Sequence, residues 1–179
     1  MKVTDYGGPM RSLAPRTIAL YNADKTGSAL PGLLLEDFSD ALTAYSKLGG
    51  TKAPQIIDDP SAADATVSTW YWNGQATPLP SLSGRLDYAI VCCDGTDADT
   101  AQLAYSFSEN DIALTGSLWA GTLVIMGAEK LAEHMGRPRM GRSRRYASEA
   151  IDDLVLALRC GSEYPSAVAS PRRPIRLER

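Results

Sequence analysis

Thr17-Ile18-Ala19-Leu20-Tyr21-Asn22-Ala23-Asp24-Lys25-Thr26-Gly27-Ser28 opens the stretch, residues 17–48, from which the fold is read. Residues 17–21 are apolar and β-branched enough for a buried strand. Asn22 to Ser28 make a small polar turn. Pro31 then falls in the first turn of a helix, where its missing N–H costs nothing. Leu34, Phe38, Ala41, Leu42, Tyr45 and Leu48 recur every three or four residues, one apolar helical face, and Gly49-Gly50 stops it. A strand feeding a hydroxyl-rich turn into a helix start places unpaired N–H groups where an anion could sit. An ordinary strand–helix connection is the plainer reading of the same residues.

Outward from that stretch the pattern continues. Residues 54–57 and 63–69 read as extended runs, the second with β-branched residues in alternation. It empties into Trp70-Tyr71-Trp72-Asn73-Gly74, consecutive aromatics that cannot all enter one core. They form either a ligand or partner platform or a loop folded back over the sheet edge. Residues 86–93 (Leu-Asp-Tyr-Ala-Ile-Val-Cys-Cys) carry a continuous apolar run after Asp87, as in a parallel strand covered on both faces. Asp94-Gly95-Thr96-Asp97 turns the chain into a helix with Leu103, Ala104 and Phe107 on one side. Residues 112–114 and 122–126 read as strand, and a short helical segment over 129–135 carries His134. Ser148 reads as the cap of a last helix, 148–159, closed by Gly161.

Strands alternating with helices predict a three-layer α/β domain with a doubly wound, mostly parallel sheet over residues 16–162. A flexible arm, 1–15, is expected before it and a basic Pro/Arg-rich tail, 163–179, after it. In such sheets ligands bind beyond the carboxyl ends of the strands. The loops at Asn22, Trp70 and Asp94 all follow strands and so share that edge.

Composition narrows the class. The chain has 179 residues, 44% hydrophobic and 22% charged, with a net charge of −3, which disfavours nucleic acid as a partner. No apolar run approaches the roughly 18 residues of a membrane span. The first residues lack the apolar core of a secretory signal, so a cytoplasmic protein is expected. The three cysteines, two of them adjacent, read as reduced core residues. A single histidine leaves little from which to build a zinc site or a hydrolytic triad. Arginines crowd positions 137–145 and 172–179, either as a solvated loop and tail or as a basic patch for a phosphate-bearing ligand or a partner.

The loops resemble those of flavodoxin-like flavoproteins, including the NAD(P)H-dependent FMN reductases. The resemblance rests on Asn22-Ala23-Asp24-Lys25-Thr26-Gly27-Ser28 after the first strand, Thr69-Trp70-Tyr71-Trp72-Asn73-Gly74 after the third, and Asp94-Gly95-Thr96 after the fourth. It implies FMN at the carboxyl edge, with Asn22, Lys25, Thr26, Gly27 and Ser28 toward the phosphate. Trp70 or Trp72, from the loop Thr69 to Gly74, would lie against the ring, with Asp94, Gly95 and Thr96 beside it. It also implies NAD(P)H as a co-substrate of a flavin or quinone-type reductase, with no catalytic side chain assigned. Two departures accompany it. The first loop is one residue long for the pattern, and Asp24 would bring negative charge to a phosphate dianion unless Lys25 offsets it. The competing expectations are a non-catalytic interaction or assembly protein on the same core, or a nucleotide other than FMN held by the arginines. A homo-oligomer is open under each.

Overall fold

In the computed structural model, residues 14–80 and 85–179 are described; most of the expected N-terminal arm lies outside them. The opening stretch folds as read: strand β1 (Thr17–Asn22), then helix α1 (Leu30–Leu48) with Pro31 in its first turn. Leu34, Phe38, Ala41 and Leu42 are buried, whereas Leu48 at the frayed end is 83% exposed. Full burial of each large apolar side chain contributes about 1.5–3 kcal/mol, which is what holds α1 to the sheet.

The chain continues through β2 (Gln55–Ile57), a single 3-10 turn at Pro60–Ala62, β3 (Ala65–Tyr71) and β4 (Leu86–Cys92). Helix α2 (Ala98–Leu114) and strand β5 (Leu118–Ile125) follow, then α3 (Ala128–His134), α4 (Arg145–Arg159) and β6 (Ala167–Ala169). The six strands form one sheet in the order β2-β1-β3-β4-β5-β6, every neighbouring pair parallel. That is the flavodoxin-like doubly wound arrangement, with its reversal of strand order between β1 and β3.

The two faces are covered unequally. Helices α1 and α4 pack side by side over one face, with Phe38, Leu42, Ile151 and Leu158 in a core that includes Tyr88, Ile90 and Leu123. The other face holds α2, with Trp70, Ala89, Val91, Cys93 and Met126 beneath it. No helix joins β2 to β3. Trp72, Leu79, Ile175 and Leu177 pack on that second core instead.

Several local expectations change. Residues 112–114 end α2 rather than starting a strand, because Ile112 continues the buried side of the helix. Leu103 lies on the solvent side of α2, 51% exposed. Helix α4 begins at Arg145, so Ser148 is a buried residue inside it, not its cap. The segment 163–179 supplies β6, which pairs with β5, and Glu178 exchanges hydrogen bonds with Gln102 of α2. Its apolar Ala-Val-Ala run is too short to announce a strand. Cys160 is exposed, unlike Cys92 and Cys93.

One glycine is obligatory. Between Asp87–Trp119 and Tyr88–Gly121 the register slips, leaving Ala120 as an extra residue on β5. Gly121 has φ +130°, and a Cβ there would overlap the Tyr164 carbonyl.

Candidate functional site

The loop after β1 is closed on itself. Asp24 Oδ2 accepts the backbone N–H of Thr26 at 3.2 Å and of Gly27 at 3.1 Å. The Thr26 hydroxyl donates to the same carboxylate, at 3.0 and 2.9 Å. Thr26 Oγ1 in turn accepts Ser28 N–H, and Ser28 Oγ accepts Leu30 N–H at the start of α1. Asn22 Oδ1 accepts Asp24 N–H. The loop donors that a phosphate would need here are therefore satisfied within the chain, those of Thr26 and Gly27 by the Asp24 carboxylate and those of Ser28 and Leu30 by hydroxyls. Lys25 is exposed and makes no ion pair with Asp24.

The aromatic loop is likewise engaged. Thr69 Oγ1 donates to the Ile90 carbonyl at 2.8 Å, buried in the sheet. Trp70 is 1% exposed in the core under α2. Trp72 is half-buried, its ring 5.8 Å from that of Phe107. Tyr71 donates its N–H to Asp24 Oδ1 at 3.0 Å and its hydroxyl to Asp94 Oδ1. Asn73 Oδ1 accepts Gln75 N–H, and Gly74 has φ +86°. These residues do not fit FMN held by its phosphate on the β1 loop: the anion position is filled, and Trp70 is committed to the core.

The third loop leads elsewhere. Gly95 N–H donates to Glu129, and Gly95 and Thr96 line a cavity of about 860 Å³ beyond β4, β5 and β6. Burial, then the hydrogen bond and repulsion of Glu129, raise the Asp94 carboxyl above its ordinary value. Asp97 caps α2, accepting Thr100 N–H and its hydroxyl, each at 2.8 Å. The backbone closes the floor: Gly127 N–H reaches the Gly95 carbonyl at 2.7 Å, and Met126 N–H the Ala169 carbonyl at 2.8 Å. Tyr146 also lines the cavity and donates to the Met126 carbonyl at 2.7 Å.

The arginine-rich segment divides into two sets. Arg139 and Arg144 share Asp37: Arg139 Nε lies 2.6 Å and Arg144 Nη2 2.8 Å from its Oδ1. Arg139 also reaches Asp152 at 2.7 Å, and Arg144 donates to the carbonyls of Met135 and Arg137. Arg145 pairs with Glu149 one turn along α4. Arg137 and Arg142 have no acidic partner among the described residues, and both line the cavity with Arg172 and Lys130. His134 is half-buried there rather than on the open surface, its Nδ1 buried without a hydrogen-bond partner.

Of the residues that the flavodoxin resemblance assigned to a flavin, only Gly95 and Thr96 line this cavity, and those of the β1 and β3 loops lie along the edge beside it, whereas Arg137, Arg142 and Arg172 of the arginine-rich segments do line it. The cationic wall corresponds to the basic-patch alternative read from the arginines at 137–145 and 172–179, which the sequence leaves without a place in the fold. Arginine density at 137–145 signals it, but nothing in the pattern distinguishes clamping arginines from free ones.

No family model matches this sequence, and no curated protein does. A solved structure described as a short-chain flavodoxin associated with a non-canonical PDU bacterial microcompartment matches with a TM-score of 0.40 and 16% identity, over 67% of this chain and 94% of that one. At that level the likeness carries no argument about the site; the fold rests on the strand order. Among the described residues no helix is long and apolar enough to cross a membrane, and no cluster of metal-ligating side chains occurs.

Proposed function

We propose that this protein binds a phosphate-bearing ligand of nucleotide size in the cavity beyond β4 and β5. Its phosphate would rest on Arg137, Arg142, Arg172 and Lys130. The observation that carries this reading is four cationic side chains around one cavity with no acidic partner among the described residues. Like charges gathered in this way repel, and a dianion among them relieves the repulsion; guanidinium forks match phosphate oxygens in pairs. The volume of about 860 Å³ falls in the range of pockets that enclose drug-sized ligands, roughly 300–1,000 Å³.

FMN has the size and charge for this cavity and belongs to the reading as a ligand with its phosphate on the arginines, away from the β1 loop. A reductase using NAD(P)H is a further step that no side chain here specifically supports. The interaction-protein reading is weaker, because Trp70, Trp72 and Trp119 are engaged inside the chain.

The test is calorimetric titration at low ionic strength with inorganic phosphate, ribose 5-phosphate, AMP and FMN. Saturable binding that weakens with salt, and drops at least about tenfold in Arg137→Ala/Arg142→Ala, is expected. Neither arginine side chain clamps the fold, so that variant keeps its stability. Absence of binding by every phosphate compound sinks the proposal, and a flavin spectrum in the purified protein would single out FMN.

A further inference from the structure

Glu129 stands out on a wall otherwise dominated by cations. It follows Ala128 at the start of α3, is exposed, and lines the same cavity as its neighbour Lys130. Beside Lys130, Arg137 and Arg142 an ion pair would be the ordinary outcome, yet none forms. Its oxygens take the Gly95 N–H, at 3.4 and 3.2 Å, and share a hydrogen bond with the Asp94 carboxyl. Two carboxylate oxygens offer about four acceptor positions, so about half of that capacity remains at the cavity wall.

A bare phosphate gains nothing from such a residue and is repelled by it. A ligand that brings N–H donors as well as a phosphate satisfies both the carboxylate and the cations. Leu131, Pro138 and Pro171 add apolar surface to the same wall, against which a ring can pack. We infer that Glu129 reads the donor edge of a nucleobase, and that the ligand is a nucleotide whose base presents adjacent N–H groups, as guanine does. Two parallel N–H···O bonds to one carboxylate are the strong, orientation-specific form of this contact. This rests on the anion-binding reading above and adds the chemical class of the other end of the ligand.

The experiment compares GMP, ribose 5-phosphate and inorganic phosphate by calorimetry on the full chain and on Glu129→Gln. In the wild type GMP binds at least about tenfold tighter than ribose 5-phosphate, the discrimination that one bidentate pair provides. In Glu129→Gln, which keeps one acceptor and loses the charge, that advantage disappears while ribose 5-phosphate binds as well or better. Retained ribose 5-phosphate binding also shows that the variant is folded. Equal affinity for GMP and ribose 5-phosphate in the wild type, or a GMP advantage that survives the substitution, overturns the role of Glu129 and leaves the anion site standing. If none of the three binds, the anion site itself is wrong.

Discussion

Tyr71 donates its backbone N–H to the Asp24 carboxylate across 3.0 Å, joining the end of β3 to the turn after β1. With Thr26 and Gly27 on the same carboxylate, Asp24 is an internal anion in the place where this fold can receive an external one. Asp24→Ser removes the charge and strands those N–H groups. We expect a loss of about 1–3 kcal/mol in urea denaturation, because hydrogen bonds to a charged acceptor are the costly ones to break. In an Arg137→Ala/Arg142→Ala background, added phosphate would then shift the Thr26 and Gly27 amide resonances. Resonances that stay still on addition of phosphate would refute the surrogate role.

The clamp on the arginine segment makes a second, contrasting prediction. Asp37 and Arg144 have side chains only 6% and 7% exposed, and Asp37 serves Arg139 as well. Asp37→Ala leaves a buried guanidinium without its counter-charge, at a cost of about 3–5 kcal/mol. Arg145 and Glu149, with side chains 64% and 53% exposed, form a pair that solvent screens, so Arg145→Ala leaves the urea midpoint nearly unmoved. Equal midpoint shifts in the two variants would contradict this division.

Asp87 sets a pH dependence of unusual sign. It is buried in β4, hydrogen-bonded to Ser68 Oγ at 2.9 Å, with its other oxygen unpartnered. Burial pushes its carboxyl up to about 7. The folded state then keeps a proton that the unfolded chain releases near pH 4. Stability from this group is full below that value and falls as pH rises to about 7, by as much as ~4 kcal/mol. Asp111, raised by its burial, acts in the same sense. Asp64 and Asp97, lowered chiefly by backbone N–H donors, act oppositely and lose their contribution below about pH 4. Urea midpoints at pH 4.5 and 8 for wild type and Asp87→Asn check the assignment. The slope between them should flatten in the variant.

The sheet was legible because β1 and β4 carry apolar runs, β3 alternating β-branched residues, and α1 a regular apolar face. Those signals are local. The contribution of 167–169 to the sheet was not legible, since a three-residue strand becomes one only through its partner β5. The loops read as a site follow β1, β3 and β4, whereas the cavity lies beyond β4, β5 and β6. Thr-Gly and hydroxyls after a strand do suggest an anion loop. Whether Asp24 turns inward to satisfy it is a matter of three-dimensional closure, as is the choice that sends Arg139 and Arg144 to Asp37 and leaves Arg137 and Arg142 free.

The adjacent cysteines at the end of β4 report on the two unequal layers separately. Cys92 sits in the core beneath α1 and α4, and Cys93 in the core beneath α2. Burial raises the Cys92 thiol well above its ordinary value and the Cys93 thiol to about 12, so neither reacts from the closed state. Exposed Cys160 would take up a thiol reagent at once, and each buried sulfur only when its own layer lifts. Mass-resolved labelling thus times the two faces against each other from two adjacent residues. The face roofed by one helix and a C-terminal segment should open first, so Cys93 should be labelled ahead of Cys92.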